Sequence, residues 1–396
     1  MMERPAFTGD LPSPAGRVDL LMVAGEHSGD EQASRLVREL GARRSGFAAS
    51  ALGGPGLAAA GAQLLHDLTA ASVVGVVEVL RSYGYFRDLF AATLRWIETH
   101  RPRAVCLVDY PGFNLRLAAA LRERGLSVKG GGEIKVLYYI SPQIWAWKAG
   151  RRFAMARDLD SMAVIFPFEP ECYADTGLPV SFVGHPFLAG DYRPPVHYDP
   201  EGPILLLPGS RQQAAARIFP VLLDGFRAGG ERDAVVLFPS DDILAVLRAS
   251  EPPANVRFHP VVERRRGTPD ATVDRGVGAA AVLTSSGTMS LHCALAGIPG
   301  AIAYRANPFT YLLGRLLVRV EYLGIANLLL SEPVYPEYIQ GAATPGALAA
   351  ELHASLHDRK RVARMTEQAA RLRARLAVPA HGTATDWLER ELNATG

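Results

Sequence analysis

Short runs of apolar residues alternate with amphipathic, helix-like stretches along most of the chain. The runs are continuous rather than alternating, which is typical of strands that are buried on both faces of a parallel sheet. They cover residues 18–25, 103–112, 133–142, 161–168, 180–186, 203–210, 233–240, 256–262, 279–287 and 300–308. This order of strand, loop and helix predicts an α/β protein built on doubly wound parallel sheets.

One segment, residues 187–202, interrupts the alternation of strand-like and helix-like stretches. Residues 187–202, FLAGDYRPPVHYDPEG, are rich in Pro, Gly and Asp and follow neither period, so they predict a linker. A chain of 396 residues is also long enough for two cores. We expect two Rossmann-like domains facing across a cleft. The predicted parts are a loose N-terminal leader (1–17), an N-terminal domain (18–190), a C-terminal domain (200–345) and Ala- and Arg-rich closing helices (346–396).

Charge and cysteine content exclude several classes of protein. Lys and Arg number 42 and Asp and Glu 40, so the chain lacks the basic excess expected for nucleic-acid binding. The three cysteines are scattered without a CxxC pair, which predicts neither a disulfide framework nor a zinc site. We find no uninterrupted apolar run long enough for a membrane span, and Pro and Gly interrupt the leader, which does not resemble a signal peptide. A cytoplasmic protein is expected.

In the first half, acidic residues follow two of the predicted strands. The loop AGEHSGD (24–30) contains Glu26, which we expect to line the cleft, while Ser28 and Asp30 could cap the following helix. Asp109 ends a buried strand, where a carboxylate is costly unless it is hydrogen-bonded or chemically active. Asp109 is therefore either a helix cap or a general base that takes a proton from an attacking hydroxyl.

In the second half, two loops have the composition of an anion site. LLLPGSR (205–211) supplies Ser210 and Arg211 after a strand, and SSGT (285–288) supplies Ser286, Gly287 and Thr288 before a helix. Backbone N–H groups at a helix N-terminus, hydroxyls and a guanidinium together suit a diphosphate. We find no Walker motif and no metal-ligand cluster, so we predict neither phosphoryl transfer from ATP nor a metal or other cofactor.

Two aromatic segments each allow two interpretations. Trp145 and Trp147 in SPQIWAWKAGR (141–151) form either a packed aromatic turn or a wall for sugar or acyl groups. The stretch 73–101 carries Arg81, Arg87 and Arg95 among Val, Leu, Phe, Tyr and Trp. It is either a membrane-surface helix or a core helix with its arginines directed outward.

Taken together, these stretches resemble the lipid-A-disaccharide synthases, which are inverting glycosyltransferases of the two-domain GT-B type. The resemblance extends from about residue 18 to 345. It rests on the order of AGEHSGD, VVGVVEVL, VDYPGFNLRLA, YYISPQIWAWKAGR, VIFPFE, FVGHP, LLLPGSR, SSGTMSLHCAL, AYRANPFTYLLGRLLVRVEYLGIANLL and PEYIQ.

The resemblance implies a reaction. A 2,3-diacylglucosamine passes from its UDP donor to the 6-hydroxyl of 2,3-diacylglucosamine 1-phosphate, which releases UDP and forms a β-1,6 disaccharide in lipid A biosynthesis. It implies no metal, and an enzyme at the inner-membrane surface. Asp109 matches the general base, Glu26 the acidic residue of the first loop, and Arg305 and Asn327 further cleft positions. Trp145, Trp147, Arg81 and Arg87 are expected to contact the acceptor or its acyl chains.

Three positions depart from the family pattern. His292 stands where relatives usually carry a Glu that grips the donor ribose, and Ala214 and Gly112 also replace acidic residues. An imidazole accepts one hydrogen bond where a carboxylate accepts several, so His292 is either a substituted ribose contact or a packing residue. Two other functions therefore stay open: a GT-B transferase or epimerase acting on another UDP-sugar, and a catalytically silent homologue that binds nucleotide or lipid.

Overall fold

The computed structural model describes residues 9–71, 83–229, 232–261, 276–307, 311 and 320–394. The chain forms two compact units. The first comprises Met1–Pro186 together with Val378–Gly396, and the second comprises Phe187–Ala377.

Each unit is built from parallel strands and the helices that connect them. The strands are β1 (Leu20–Ala24), β2 (Ala49–Gly53), β3 (Gln63–Asp67), β4 (Ala104–Val108), β5 (Lys135–Tyr139), β6 (Ser161–Val164), β7 (Val180–Phe182), β8 (Val196–Tyr198), β9 (Ile204–Leu207), β10 (Ala234–Phe238), β11 (Val256–Pro260), β12 (Val277–Ala279), β13 (Ala281–Thr284), β14 (Gly300–Tyr304) and β15 (Glu337–Ile339). The helices are α1 (His27–Arg43), α2 (Pro55–Ala59), α3 (Tyr83–His100), α4 (Pro111–Glu123), α5 (Arg151–Asp158), α6 (Gln212–Gly229), α7 (Asp241–Arg248), α8 (Thr288–Ala296), α9 (Ile325–Leu330), α10 (Pro345–His357), α11 (Arg359–Leu376) and α12 (Ala384–Asn393).

The first unit contains a seven-stranded parallel sheet in the order β3-β2-β1-β4-β5-β6-β7. The order reverses between β1 and β4, because the chain builds outward from β1 in one direction and then continues from β4 in the other. Helix α1 packs into the core on one face of the sheet, through Leu36 and Leu40. Helix α4 packs into the core on the opposite face, through Leu117 and Leu121. This is the doubly wound arrangement, and the reversal is the point where such sheets bind ligands.

The second unit repeats this plan. Its six-stranded parallel sheet has the order β11-β10-β9-β13-β14-β15 and reverses between β9 and β13. A separate pair, β8 and β12, adds a short parallel ribbon. Helix α10 lies close against α6, where a Cβ atom on Gly225 would lie 2.5 Å from the Leu348 side chain. Only a glycine allows this approach between the two helices.

All ten predicted apolar runs contain a strand, so this part of the prediction is confirmed. Five strands were not predicted, namely β2, β3, β8, β12 and β15, and each is at most five residues long. Strand β8 lies inside the predicted linker 187–202, and its Val196 is fully buried. This part of the linker is therefore a folded part of the second unit.

Both predicted terminal segments need correction. Within the predicted loose leader, Leu11 is only 7% exposed and the Pro12 carbonyl accepts the indole N–H of Trp96 at 2.9 Å, so these residues pack against α3. Residues 1–8 lie outside the described part. The predicted closing segment 346–396 divides between the units: α10 and α11 belong to the second unit and α12 to the first.

Helix α12 belongs to the first unit because of its apolar face. Trp387 is 1% exposed and donates its indole N–H to Ser161 Oγ on β6 at 2.9 Å. At the edge of this contact Arg43 of α1 forms ion pairs with Asp386 at 2.7 Å and with Glu389 at 3.0 Å. Exposed ion pairs contribute little, so the buried indole is the main anchor of α12.

Trp387→Ala should therefore destabilise the first unit by about 3–5 kcal/mol, because it leaves a large cavity and an unpaired Ser161 hydroxyl. Amide hydrogen exchange of β6 measures this loss for the first unit alone, which matters because two units need not unfold together. The matched control is Arg38→Ala at an exposed position of α1 in the same unit, with an expected change below about 0.5 kcal/mol. Unchanged protection of β6 in Trp387→Ala would contradict the anchoring role.

Candidate active site

Strands β1 and β4 meet at the reversal of the first sheet, and an acidic residue follows each of them. Glu26 is the N-cap residue of α1 and is exposed, with its carbonyl accepting the Asp30 N–H at 2.9 Å. Asp109 directly follows β4 and is half-buried. The negative charge of Glu26 acts on Asp109 through space. The structure thus brings together the two acidic residues that the sequence singled out.

The backbone that carries Asp109 is strained. Asp109 and Tyr110 have φ values of +46° and +48°, so two consecutive residues other than glycine occupy the left-handed region. Such residues cost of order 1–3 kcal/mol each and persist only where the surroundings enforce them. This strain is characteristic of turns that must aim a side chain.

Two buried side chains hold this turn in place. The Asn114 amide donates to the carbonyl oxygens of Val108 and Asp109, at 3.2 and 2.8 Å. The Tyr138 hydroxyl also donates to the Asp109 carbonyl, at 2.6 Å. With its carbonyl oxygen thus bound twice, the backbone of Asp109 is held in place at the end of β4.

Gly25 brings the first loop up against this turn. A Cβ atom at Gly25 would lie 2.2 Å from the Tyr110 ring, which is far inside contact distance. The loop AGEHSGD therefore needs a glycine here for a close approach rather than for an unusual φ angle. The contact of Gly25 with Tyr110 is what places Glu26 beside Asp109.

The environment of Asp109 changes its acidity. Burial and, to a smaller extent, the negative charge of Glu26 raise the pKa of Asp109 to about 6, against the opposing effect of the backbone N–H of Tyr110. A carboxyl group with a pKa near neutrality is suited to general base catalysis, since it is ionised at physiological pH and still binds a proton well.

Asp30, in the same loop, has a different role from the one predicted. It is 5% exposed, and its carboxylate accepts the backbone N–H groups of Gly54 at 2.7 Å and Gly56 at 2.9 Å. It therefore caps α2 rather than α1, and α1 begins without a side-chain cap. The predicted cap by Ser28 and Asp30 is wrong.

The two predicted anion-binding loops lie together at the reversal of the second sheet. β9 and β13 are neighbours, and the Ser285 N–H donates to the Leu207 carbonyl at 2.8 Å. Gly209 has a φ of +103°, and a Cβ atom there would lie 3.2 Å from Ser285 Oγ. The PGSR and SSGT loops are therefore in contact at one edge of the sheet.

The groups expected to bind an anion are accessible at this edge. Ser210, Arg211, Gly287 and Thr288 are exposed, and Ser286 is half-buried. Helices α6 and α8 both begin here, and the N-cap of α8, Gly287, provides no side-chain cap. Two helix N-termini, hydroxyl groups and one guanidinium produce a positive potential that favours a diphosphate.

Arg305 and Asn327 differ in what they offer. Arg305 is exposed and follows β14, next to β13, so it lies at the same edge as the two loops. Asn327 is 0% exposed, and its amide is fully used: it donates to the Tyr335 carbonyl and to Glu337, and accepts from the Val334 and Tyr335 N–H groups. The prediction for Asn327 is corrected, since it has no capacity left for a ligand.

The partner of Asn327, Glu337, was missed by sequence analysis. Its carboxylate accepts the Leu323 N–H at 2.9 Å and the Gly324 N–H at 2.9 Å, at the start of α9. Glu337 and Asn327 thus order the segment before α9. The only signal was the PEYIQ block within the family resemblance, which assigned no role to this residue.

His292 lies in an aromatic cluster of the second unit. It is 6% exposed, stacks on Phe187 at a centroid distance of 3.8 Å, and has the Tyr192 hydroxyl within 3.2 Å of its ring nitrogens. Burial lowers the pKa of His292 to about 4, so the ring is neutral. The structure favours the packing interpretation over direct contact with a ribose, which would require Phe187 or Tyr192 to move.

Of the two predicted acceptor-contacting tryptophans, only Trp147 is strongly exposed. Trp145 is half-buried and packs edge-to-face on Phe168 at 5.5 Å. Nearby, Glu169 is 2% exposed and accepts the Phe166 N–H at 2.9 Å, and burial raises its pKa to about 8. Trp147 is 46% exposed and belongs to the surface.

The basic stretch 73–101 is partly described. Helix α3 directs Leu89 and Ile97 into the core, while Arg87 pairs with Asp88 and Arg95 with Asp10. Arg81 lies outside the described residues. The part of the stretch that is described therefore packs as a core helix with its arginines outward.

The described residues contain neither a helix that could cross a membrane nor a cluster of side chains that could hold a metal ion. No helix there has the length and apolar character to cross a membrane. No group of three or more His, Cys, Asp or Glu side chains in those residues is arranged to hold a metal ion.

Comparisons with known proteins identify the family. The family model described as lipid-A-disaccharide synthetase matches residues 20–228 and 267–382. The lipid-A-disaccharide synthase of Geobacter metallireducens is 37% identical over 373 residues, covering 90% of this chain and 92% of the relative. That of Nitrosococcus oceani is 34% identical, covering 91% and 93%.

Solved structures share the fold at low sequence identity. The kitacinnamycin glycosyltransferase has a TM-score of 0.55 at 17% identity and covers 95% of this chain and all of its own. The UDP-GlcNAc 2-epimerase from Neisseria meningitidis has a TM-score of 0.55 at 10% identity, with coverage of 95% and 100%. The fold is therefore that of GT-B proteins, and the chain belongs to the lipid-A-disaccharide synthase family.

Proposed function

We propose that this protein is a glycosyltransferase that joins two acylated glucosamines. It transfers 2,3-diacylglucosamine from UDP to the 6-hydroxyl of 2,3-diacylglucosamine 1-phosphate, forming a β-1,6 disaccharide and UDP. The observation that carries the proposal is the Asp109 turn: a carboxylate with a pKa of about 6, aimed from a strained backbone at the reversal of a Rossmann-like sheet, in a chain of this family.

The proposed reaction is a single displacement at the anomeric carbon. The acceptor 6-oxygen forms a bond to that carbon as the bond to the β-phosphate oxygen of UDP breaks, with inversion. The proton of the hydroxyl passes to Asp109, and the electron pair of the broken bond leaves with UDP. Asp109 then returns its proton to solvent.

The PGSR and SSGT loops are proposed to stabilise the departing UDP. Negative charge grows on the diphosphate as the bond breaks, so preorganised N–H groups and the Arg211 guanidinium bind the transition state more tightly than the ground state. Their contact through Gly209 and Ser285 supports this assignment, because both loops reach the same edge. Exposed Arg305, one strand away, is proposed to assist.

Both proposed substrates carry acyl chains, so the enzyme is proposed to work at a membrane surface. Lipid chains of this kind stay in a bilayer, and the sugar headgroups alone would enter the site. Trp145, which follows the Ser141–Pro142 turn after β5 in the sequence, is proposed to border the acceptor site.

Measuring UDP release with each lipid alone and with both together tests the proposal. We expect release only when both are present. Release from the UDP-sugar alone would indicate a hydrolase. No release under any condition would indicate an epimerase if the UDP-sugar is converted to an epimeric UDP-sugar, and a silent homologue if it is recovered unchanged.

Asp109→Asn should lower kcat by about 10²–10⁴-fold, because the general base is lost, and leave UDP affinity unchanged. Asn tolerates the left-handed conformation, so the turn should persist.

Burial raises the folded-state pKa of Asp109 above its unfolded value, so ionisation at pH 8 opposes folding. The variant should therefore be at least as stable as the parent at pH 8, by denaturant unfolding. Turnover at the parental rate would contradict the assignment of the base.

The acid limb of the pH profile should report on the same carboxyl. kcat/KM should fall as the pH drops through about 6, where Asp109 takes up a proton. Glu26→Gln removes a nearby negative charge and should move this limb to lower pH. A limb that stays at the parental pH in Glu26→Gln would show that another group titrates.

Arg211→Ala should lower kcat/KM by roughly 10²-fold or more and weaken UDP binding, because it removes a cation from the leaving-group site. The matched control is Arg217→Ala, which removes an exposed cation further along α6. Calorimetric UDP titration and steady-state kinetics provide the two readouts. Equal effects of both substitutions would reduce the role of Arg211 to general surface charge.

A further inference from the structure

Glu169 is a buried carboxyl group that the proposed reaction does not use. It is 2% exposed and directly precedes the short 3₁₀ turn Pro170–Tyr173, and its Oε2 accepts the Phe166 N–H at 2.9 Å. Burial raises the pKa of Glu169 to about 8, and no cation of the described residues opposes that rise. A buried carboxyl group without a cation opposes folding, so a group that is kept there needs a compensating role.

The indole N–H of Trp145 lies beside this carboxyl group. Its nitrogen is buried and donates no hydrogen bond within the part of the chain that the structure describes. Against the effect of burial, this indole and the backbone N–H groups of Phe166 and Ile165 lower the pKa of Glu169, so the indole is close enough to favour the ionised form. A buried donor without an acceptor is unfavourable, and the Glu169 carboxylate is the acceptor within its reach.

The loop 141–147, which contains Trp145, also contacts the segment of Glu169 at two other points. The hydroxyl groups of Ser141 and Tyr173 form a hydrogen bond of 2.7 Å, and both residues are buried. The Trp145 ring packs edge-to-face on Phe168. The segment that follows β6 is therefore the support against which the loop 141–147 is packed.

The loop 141–147 begins beside the proposed base. The Tyr139 carbonyl, at the end of β5, accepts the Asp109 N–H at 2.9 Å. The next residue, Ile140, has a φ of +66°, a left-handed conformation that β-branched residues rarely adopt. Strain of this kind persists only where the surroundings enforce it, and it is concentrated at ligand sites. The loop thus leaves the sheet next to Asp109 in an enforced direction.

We propose that Glu169 is a positioning residue of the acceptor site: its carboxylate binds the Trp145 indole N–H and thereby fixes the loop 141–147 beside Asp109. This inference rests on the proposed function, in which Trp145 borders the acceptor site. A protonated carboxyl group has one oxygen left as a full acceptor, which the Phe166 N–H occupies, so protonation of Glu169 releases the indole. The loop is then held less firmly below about pH 8 than above it.

Other ionisable groups near Glu169 do not account for such a transition. The titratable and charged side chains around it are Cys172, Tyr173, His185, Glu171 and Arg152. Burial raises the pKa of Cys172 and of Tyr173, which moves both away from pH 8 to the alkaline side. The loop 141–147 itself, SPQIWAW, contains no titratable side chain. All of these neighbours remain in a Glu169 variant, so such a variant separates its titration from theirs.

Tryptophan fluorescence of the substrate-free protein, from about pH 6.5 to about pH 9.5, tests the contact. The emission of the parent should change with a midpoint near pH 8, where Glu169 loses its proton beside the Trp145 indole. Glu169→Gln and Trp145→Phe should each abolish this transition. Two matched controls should keep it: Glu171→Gln, at an exposed position of the same turn, and Trp147→Phe.

Glu169→Gln should fold, because its amide oxygen still accepts the Phe166 N–H and because it lacks an ionisation that opposes folding above pH 8. Near-ultraviolet circular dichroism and thermal unfolding check this for every variant.

Steady-state kinetics tests the effect on the acceptor. At about pH 8.5, Glu169→Gln should raise the KM for 2,3-diacylglucosamine 1-phosphate by about 10-fold, as expected for the loss of one hydrogen bond to a charged group. The kcat and the KM for the UDP donor should stay near the parental values. At about pH 6.5, where the parent is protonated at Glu169 as well, the two acceptor KM values should agree. Glu171→Gln should match the parent at both pH values.

The outcomes separate this inference from the proposed function. A fluorescence transition that persists in Glu169→Gln, or that is missing from the parent, would overturn the positioning role. A parental acceptor KM in Glu169→Gln at the higher pH, or a change confined to kcat, would overturn it as well. Absence of sugar transfer by the parent would contradict the proposed function instead, and the fluorescence transition alone would then decide whether Glu169 holds Trp145.

Discussion

The chemistry of this protein depends on the points where a parallel sheet reverses its strand order. Between β1 and β4, and again between β9 and β13, neighbouring strands continue into connections that leave in opposite directions. Neither connection can cover the gap between the two carboxyl ends, so backbone and side-chain groups remain accessible on a rigid frame. One gap holds Glu26 and Asp109, and the other holds the PGSR and SSGT loops. The location of both sites is therefore determined by the strand order of the two sheets, whichever side chains occupy them.

Placing the proposed base at such a point costs stability. Asp109 occupies a left-handed backbone and is partly removed from water, and each of these features opposes folding. Asn114 and Tyr138 offset the backbone cost through hydrogen bonds to carbonyl groups, which leaves the carboxylate itself unneutralised. A cation beside Asp109 would have stabilised the fold, but it would also have lowered the pKa and weakened the base. The arrangement around Asp109 therefore gives up some folding stability and keeps the pKa of the carboxyl group high enough for it to accept a proton.

Local sequence was sufficient for the ten strands that lie in continuous apolar runs and for the two pairs of loops, and insufficient for the five shorter or less apolar strands and for long-range partners. The run 103–112 predicts a strand because the consecutive residues 104–108 are all apolar, as burial on both faces of a sheet requires. The loops that follow such strands share one edge of the sheet because the strands are parallel. The sequence did not predict that the hydrogen-bonding groups of Asn327 are all used within the protein, one of them by Glu337. An amide that contacts a ligand and an amide that orders a loop look alike in sequence. The packing of α12 against the first unit depends on the hydrogen bond from Trp387 to Ser161, which is 226 positions away in the sequence. Local sequence does not predict a contact over that separation.

The histidine at position 292 changes how the donor would be held in the proposed reaction. An ionised carboxylate one turn into α8 would bind hydroxyl groups, but it would also place negative charge near the diphosphate loops. The neutral ring of His292 does neither, because burial suppresses its charge and Phe187 and Tyr192 occupy its surroundings. The proposed grip on UDP then shifts to the helix N-termini and Arg211, where the binding energy acts on the leaving group itself. Interactions with the ribose would be similar in the ground and transition states, so losing one of them raises KM and leaves kcat largely intact.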